Sequence, residues 1–508
     1  MSRMKAPESG VKVRMYRQGQ GDCFLLAFPR KGAGPDNPVY ILIDCGYMYG
    51  SQFDGISLDE IVAHIAEATG GFIDFVAITH EHADHVNGFM VNKNNENRFT
   101  GKIEFGSLWL AWTEDGDDDL ANQLRERHKD QLVALSLAEA RMTAMGMDDD
   151  SLNLSQFLEL ELGPEAERQA IAKSLMAATG PKKISGISNK LAIKYLRDTA
   201  QNGPSFLNPG QAAFSVEGST GAQVYVLGPP RNETLLLSLN PEGTEEFHLG
   251  DAMAPSGEAA AFQMALTAEA GTGGASPFAL RYMRSEAEVS TEAEGYYARV
   301  YYEAGKAEKT GENRRIDGDW LRTAGRFALR LNDEVNNSSL VLAFSLPQTG
   351  KVLLFSGDAQ RGNWISWSDI SWESDAGVLT TKELLGRCVF YKCGHHGSHN
   401  ATLKGTTAHP YANLGWLAQN EFANEFVAMI PVHSEWARTK KHWNHPLPSI
   451  EEALMQKARG RVLRNDLDRV KRPKPKDGHG TLSDTEWRAF KELSIEARLY
   501  KEYIVMDE

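Results

Sequence analysis

Four side chains that could bind a metal ion fall within six residues, directly after an apolar segment typical of a β-strand. The strand-like segment is 73–79, and His80, His82, Asp84 and His85 follow it. In extended backbone, residues two apart point the same way, so His80 and His82 can hold one ion. Asp84 and His85 follow where the chain turns into a helix and face a neighbouring position. Imidazole and carboxylate together suit zinc, with manganese and iron as alternatives. A polar loop with scattered histidines is the alternative interpretation, and the spacing disfavours it.

Two later segments repeat this arrangement of an apolar strand followed by a potential ligand. Residues 351–360 deliver Asp358 at a strand end, and the preceding Gly357 lets the backbone approach closely. Residues 388–400 end in Gly-His-His-Gly-Ser-His-Asn, which includes His395 and His396. We therefore expect three strand ends, each presenting histidine or aspartate, to converge on one rim.

The remaining elements that would position these residues predict an α/β fold. Alternating apolar residues and turn signals predict strands on both sides of the ligand motif, and a helical period of apolar residues precedes it. The predicted strands lie within 11–28 (two strands joined by a turn at 19–22), 39–46, 104–113, 212–229 (a hairpin), 326–332 and 338–346, and the helix lies at 58–68.

Two long insertions interrupt the predicted core. Residues 115–200 read as three or four helices, whose own sequence offers no catalytic cluster, and they could form a lid, a dimer surface or a substrate-selecting wall. The second insertion contains a small-residue stretch from Gly250 to Pro277 that is typical of a loop. The predicted units are core residues 1–114, a helical insertion 115–205, a core hairpin 206–231, a second insertion 232–325, core residues 326–456 and a basic C-terminal extension 457–508.

The composition is that of an ordinary soluble globular protein, with 42% hydrophobic and 24% charged residues among 508. The sequence contains no apolar run of about 18 residues or more, so we expect no membrane helix. The first residues also lack a secretory signal. We therefore expect a cytoplasmic protein with reduced cysteines. The net charge of −14 disfavours a surface coated in nucleic-acid-binding charge. The basic segment 457–476 is nevertheless the best candidate for contact with a polyanion such as nucleic acid.

The motifs together resemble the metallo-β-lactamase-fold hydrolases, and most closely the branch typified by the hydrolase domain of the ComEC competence protein. The resemblance covers about half of the chain and leaves the insertions out. The matching segments occur in the family order: GQGD at 19–22, LIDCG at 42–46, THEHADH at 79–85, YVLGPP at 225–230, NNSSLVL at 336–342, FSGDA at 355–359 and GHHGS at 394–398.

The resemblance implies an αββα sandwich, in which two sheets pack face to face with helices outside, and a site for one or two divalent metal ions at one edge. Zinc is the first choice of metal. The implied ligands are His80 and His82 for the first metal, Asp84 and His85 for the second, Asp358 as a bridge, and His396, or alternatively His395, to complete the second site.

The chain departs from the family pattern at the first metal. The usual third histidine is missing from YVLGPP, so one metal or two of unequal affinity are both open. His433 and His445 lie near the end of the core and could occupy the late ligand or acid position, and the resemblance favours His445.

The chemistry of such a site is hydrolysis. A divalent cation lowers the pKa of a bound water towards neutrality and polarises a carbonyl or phosphoryl oxygen. Asp84 would orient or deprotonate the attacking water, and His395 or His445 could protonate the leaving group. Ser398, His399 and Asn400 could donate hydrogen bonds to substrate oxygens.

Three functions remain open at this point. The first is a phosphodiesterase or nuclease, with nucleic acid bound through 457–476. The second is a hydrolase of a small phosphoester, cyclic nucleotide, lactone or thioester. The third is a partner-binding scaffold with a vestigial metal site. The oligomeric state is not predicted, although the helical insertion is a candidate interface.

Overall fold

The chain is a mixed α/β protein in a computed structural model that describes residues 3–144, 148–177, 187–247, 323–374, 377–473 and 482–508. Most of the predicted second insertion, including Gly250 to Pro277, lies outside these residues. The strands are β1 Gly10–Tyr16, β2 Phe24–Phe28, β3 Val39–Ile43, β4 Phe72–Ala77, β5 Glu104–Ala111, β6 Pro204–Leu207, β7 Phe214–Ser215, β8 Gln223–Gly228, β9 Val341–Ser345, β10 Val352–Phe355, β11 Ser371–Ser374, β12 Gly377–Thr380, β13 Cys388–Lys392, β14 Val427–Ile430, β15 Val462–Arg464, β16 Ser494–Glu496 and β17 Tyr500–Met506.

The helices cluster in the sequence between β5 and β6 and around the later strands. Their bounds are α1 Leu58–Thr69, α2 Ala83–Val86, α3 Asp119–Ala144, α4 Asp148–Leu162, α5 Glu165–Ala177, α6 Ser188–Thr199, α7 Glu233–Leu236, α8 Thr323–Asn337, α9 Arg361–Ser366, α10 Thr381–Gly386, α11 Ser434–Trp436, α12 Pro448–Lys457 and α13 Asp484–Glu492. The helical character predicted for 115–200 is confirmed by α3 to α6. Among the described residues, no helix combines the length and the apolar character needed to cross a membrane.

Two large sheets carry the predicted ligand segments. The first has the strand order β16-β17-β1-β2-β3-β4-β5-β6, and the second has the order β15-β14-β13-β10-β9-β8-β7. Strands β3, β4, β5 and β6 run parallel to one another, and so do β10, β13, β14 and β15. Because parallel strands end at the same edge of a sheet, the segments after β4, β10 and β13 share two neighbouring edges.

Each sheet buries both of its faces. Apolar side chains of the two sheets form one cluster, in which the Phe24 and Phe355 ring centroids lie 5.6 Å apart. The other face of the first sheet packs against α1 and α6 through residues such as Ile61 and Ile193. The other face of the second sheet packs against α9, α10 and α12, with Trp364 among the buried residues. Burial on both faces explains why these strands read as continuous apolar runs.

The strand predicted at 326–332 is wrong, because this segment is part of α8. Its buried residues follow a helical spacing of three and four positions, and the short alternation within 326–332 concealed that longer period. They pack against α3, α4 and α5 of the helical insertion. The residues of α8 on this face are Ala324, Phe327, Ala328, Leu331 and Val335.

The C-terminal segment 457–508 is built into both sheets. It supplies β15 to the second sheet and β16 and β17 to the first, where β17 pairs antiparallel with β1 over the whole length of both strands. The four cysteines, Cys23, Cys45, Cys388 and Cys393, are buried free thiols, as predicted.

A buried carboxyl group on α8 makes stability depend on pH. The Oδ1 atom of Asp333 accepts hydrogen bonds from Gln360 Nε2 at 2.7 Å and Asn400 Nδ2 at 3.1 Å. Burial raises the pKa of Asp333 to about 6 despite these bonds. The pKa of an aspartate in an unfolded chain is about 3.9, so the folded state binds this proton more tightly than the unfolded state does. The folded protein therefore loses stability as the pH rises through about 6, where Asp333 becomes charged.

We expect Asp333→Asn to raise the free energy of unfolding by about 1–3 kcal/mol at pH 8 and by little near pH 4. The asparagine oxygen can still accept both hydrogen bonds, and the buried charge is gone. Denaturant unfolding at several pH values measures the difference. Asp36→Asn, at an exposed ion pair with Lys5, is the control, and a gain in Asp333→Asn that does not vary with pH would contradict the assignment.

Candidate metal centre

Four of the predicted ligands meet at one point. Ligand atoms of Asp84, His85, Asp358 and His396 all lie within 4.8 Å of one another, and all four residues are buried. Asp84 Oδ2 is 3.0 Å from His396 Nε2, and His85 Nε2 is 3.2 Å from Asp358 Oδ2. These residues follow β4, β10 and β13, so the structure brings together the three strand ends that the sequence singled out. We call this group the Asp-His cluster.

Two neighbouring turns hold the backbone of the ligand motif in place. Asp22 N donates to Asp84 O at 3.0 Å, and Cys45 N donates to His85 O at 2.8 Å. A Cβ atom at Gly46 would lie 2.5 Å from both the Asp84 carbonyl carbon and the His85 nitrogen. Only glycine allows this approach. The GQGD and LIDCG motifs therefore position the ligands from the first sheet.

Hydrogen bonds outside the Asp-His cluster orient its two imidazole rings. His85 Nδ1 lies 2.8 Å from Asp44 Oδ2, and His396 Nδ1 lies 2.6 Å from Pro431 O. Both partners are acceptors, so each Nδ1 carries a hydrogen, and each ring is held with its Nε2 facing the carboxylates of the cluster. A carboxylate or carbonyl behind a histidine is the usual arrangement around a metal-binding imidazole.

The charges in the Asp-His cluster favour a cation. Burial alone would raise the pKa of Asp84, but His85 and the hydrogen bond from His396 outweigh it and lower that pKa to about 2. Burial would lower the pKa of His85, but Asp358 and the other carboxylates raise it well above its usual value. Asp84 Oδ1 is buried without a hydrogen-bond partner. Because an unpaired buried carboxylate oxygen is costly, this donor set fits a divalent cation.

A buried lysine that sequence reasoning missed neutralises part of this charge. Lys392 Nζ forms an ion pair with Asp22, lies 3.2 Å from Asp358 Oδ1 and donates to Gly357 O at 2.8 Å. Burial would lower the pKa of Lys392, but Asp22 and Asp358 raise it above its usual value. Its signal in the sequence is a single charged residue at the end of the apolar strand β13.

His80 and His82 lie beside the Asp-His cluster as a second pair. His80 Nε2 is 3.1 Å from His82 Nδ1, and the His80 ring centroid is 4.1 Å from that of His85. The YVLGPP segment offers no ligand here. A Cβ atom at Gly228 would lie 2.0 Å from Asn363 Oδ1, so a side chain at this position does not fit.

The helical insertion, whose sequence offers no catalytic cluster of its own, brings side chains to the centre. Glu161 Oε1 is 2.9 Å from His82 Nε2, and Glu161 Oε2 is 3.3 Å from His128 Nε2. Ligand atoms of Glu81, His128 and Glu161 also lie within 4.8 Å of one another. His128 and Glu161 lie on the charged helices α3 and α4, and nothing in their spacing distinguished them.

The candidate acid histidines lie at different distances from the Asp-His cluster. The His445 ring centroid is 5.7 Å from that of His395 and 6.3 Å from that of His396. His395 N donates to Asp358 Oδ1 at 3.0 Å, whereas its Nδ1 is buried without a partner. His433 instead bonds to Ser51 O through Nδ1 at 2.6 Å. Of the two late histidines, His445 is the one that faces the candidate site.

The predicted substrate-binding residues bond to other parts of the protein. Ser398 Oγ donates to Asn400 Oδ1 at 3.1 Å, and Asn400 Nδ2 donates to Asp333 on α8. His399 Nε2 is 3.3 Å from Asn240 Oδ1. No described contact joins these three side chains to the Asp-His cluster, so their binding of substrate stays a prediction.

A cavity of about 90 Å³ opens beside the centre, between the end of β4 and the helical insertion. His80 and Glu81 line it on the core side, and Arg125, His128 and Lys190 line it on the insertion side.

Comparison of the chain with protein-family models gave no match, and comparison with curated proteins gave none either. Function is therefore inferred from the geometry of the centre.

We expect Asp44→Asn to weaken zinc binding by roughly 10–100-fold, because His85 would lose the charged acceptor that orients its ring. Competition with a chelating dye measures the affinity. Asp74→Asn is the matched control, since Asp74 lies on a strand of the same sheet and pairs with Arg30, away from the Asp-His cluster. Equal affinity in the two variants would rule out the orienting role of Asp44.

Proposed function

We propose that this protein is a metal-dependent hydrolase with the αββα metallo-β-lactamase fold, acting on phosphodiesters. The observation that carries the proposal is the convergence of Asp84, His85, Asp358 and His396 from three strand ends, with one carboxylate oxygen of Asp84 left unpartnered. The two sheets and the helices that cover their outer faces support the fold assignment.

The residues divide into ligands and groups that handle protons. His80 and His82 would hold one cation, and Asp84, His85 and His396 would hold another, with Asp358 between them. A divalent cation bound here supplies a water of lowered pKa and polarises a phosphoryl oxygen. The carboxylate of Asp84 accepts a hydrogen bond from the attacking water and fixes its direction.

Protonation of the leaving group falls to the histidines at the rim of the centre. His395 presents a buried, unpartnered Nδ1, and the His445 ring lies beside it. Gln20 Nε2 is 3.1 Å from His445 Nδ1, which holds that ring in place. A positioned imidazole of this kind can pass a proton to a departing alkoxide oxygen.

Several observations favour a small phosphodiester over a long nucleic acid as the substrate. The ligand side chains are buried, and the adjacent cavity measures about 90 Å³. Three of the five arginines of 457–476 form ion pairs within the protein: Arg459 pairs with Glu486, Arg464 with Glu451, and Arg472 with Asp484. Contact of this segment with nucleic acid stays a prediction, and a nuclease that accepts a strand end is the second candidate.

A vestigial site in a scaffold protein is the weaker alternative. A scaffold gains nothing from a buried, unpaired Asp84 oxygen, whose desolvation costs stability. The same cost is acceptable at a site that binds a cation, because the cation compensates it.

Cleavage of bis(p-nitrophenyl) phosphate in the presence of zinc or manganese tests the proposal. We expect turnover by the wild type, and a loss of roughly a hundredfold or more in Asp84→Asn and Asp358→Asn. Asp74→Asn should cleave like the wild type. Equal rates in all four proteins, or metal binding without any turnover, would refute the hydrolase assignment.

DNA and RNA substrates of different lengths distinguish the two candidates. For a small-substrate enzyme we expect cleavage of the small diester and none of the polymers. For a nuclease, polymer cleavage should weaken steeply with added salt, because phosphate contacts release counterions.

A further inference from the structure

The imidazole of His82 is held between two partners of different chemistry. Its Nδ1 is 3.1 Å from His80 Nε2, and its Nε2 is 2.9 Å from Glu161 Oε1. A neutral imidazole carries one hydrogen, and a carboxylate can only accept it. The hydrogen of His82 therefore lies on Nε2, and its Nδ1 directs a lone pair towards His80.

The same accounting fixes the proton of His80. Thr79 Oγ1 donates its hydrogen to Asp44 Oδ2 at 2.7 Å, so the hydroxyl oxygen can only accept from His80 Nδ1 at 3.1 Å. Ser339 Oγ lies 3.3 Å from the same Nδ1 and can accept from it as well. His80 then keeps its lone pair on Nε2. Two lone pairs face each other across 3.1 Å with no hydrogen between them. This arrangement is unfavourable alone and suits a shared cation.

Glu161 is held firmly in the position from which it reaches His82. Its side chain is 3% exposed, and its Oε2 lies 3.3 Å from His128 Nε2 on α3. Asn189 on α6 donates through Nδ2 to Leu160 O at 2.7 Å, which anchors the end of α4. Three helices of the insertion thus determine where this carboxylate lies.

We propose that Glu161 is a positioning residue of the metal centre. It keeps the hydrogen of His82 on Nε2, so that His82 and His80 present two lone pairs to one divalent cation. This inference rests on the proposed function, and it assigns to the helical insertion the completion of a site whose direct ligands all lie in the core. An insertion that only covered the centre would need no carboxylate at this place.

Zinc titrations of the full chain test this role. The zinc site that is lost in His80→Ala is the one that depends on the histidine pair. We expect Glu161→Ala to weaken zinc binding at that site by roughly 10–100-fold and to leave the affinity of the other site unchanged. Glu161→Gln should lose less, because its amide oxygen can still accept from His82. Glu159→Ala is the matched control on the same helix, since Glu159 pairs with Lys441 and not with a ligand.

Unchanged zinc affinity in Glu161→Ala, or equal losses in Glu161→Ala and Glu159→Ala, would overturn the positioning role. Histidine-labelled ¹⁵N NMR of the metal-free protein gives a second readout, with His82 assigned by the signal lost in His82→Asn. We expect the Nε2–H tautomer of His82 in the wild type and in Glu161→Gln. This readout does not require Glu161→Ala to fold. An Nδ1–H tautomer in the wild type would also overturn the inference.

The two proposals fail in different ways. A wild type that binds no zinc refutes the proposed function, and the tautomer of His82 then still decides whether Glu161 orients the ring. A wild type that binds zinc but shows no effect at Glu161 refutes the positioning role alone.

Discussion

The burial of several carboxylates at one point is the constraint on which the rest of the structure depends. An ionised carboxylate taken out of water is costly unless positive charge and hydrogen bonds compensate it. Lys392 and His85 provide part of that compensation, and the unpartnered oxygen of Asp84 marks where more is needed. The carboxylates concerned belong to Asp22, Asp44, Asp84 and Asp358.

The charge pairs that compensate these carboxylates join residues of the two sheets. Asp22 belongs to the first sheet's turn, and its ion-pair partner Lys392 ends a strand of the second sheet. His85 of the first sheet faces Asp358 of the second in the same way. The centre is therefore also a contact between the two sheets, and the geometry of the ligands depends on how those sheets pack. A cation bound at such a contact would stabilise the folded protein as a whole.

The predicted parts of the site are the side chains that directly follow an apolar strand in the sequence. His80, His82, Asp84 and His85 follow one buried strand, so their type and spacing are visible without any knowledge of the fold. The segment 326–332 shows the opposite case, because its short alternation resembles a strand and only the longer period ending near Asn337 reveals the helix. Glu161 lay beyond prediction, since it is 79 positions from His82 and only the packing of α3, α4 and α6 brings it there.

The pairing of β17 with β1 places strand β1 inside the first sheet, between β17 and β2. Asp507 accepts from the backbone nitrogens of Gln348 and Thr349, and Lys351 donates to Met506 O, so the same segment is fastened to the β9–β10 turn. Proteolytic loss of the residues from Tyr500 onward would leave β1 as an exposed edge strand with unpaired backbone groups. Such an edge is a template for aggregation. Strand β17 thus covers the backbone edge of β1, and the residues beside it join the two sheets.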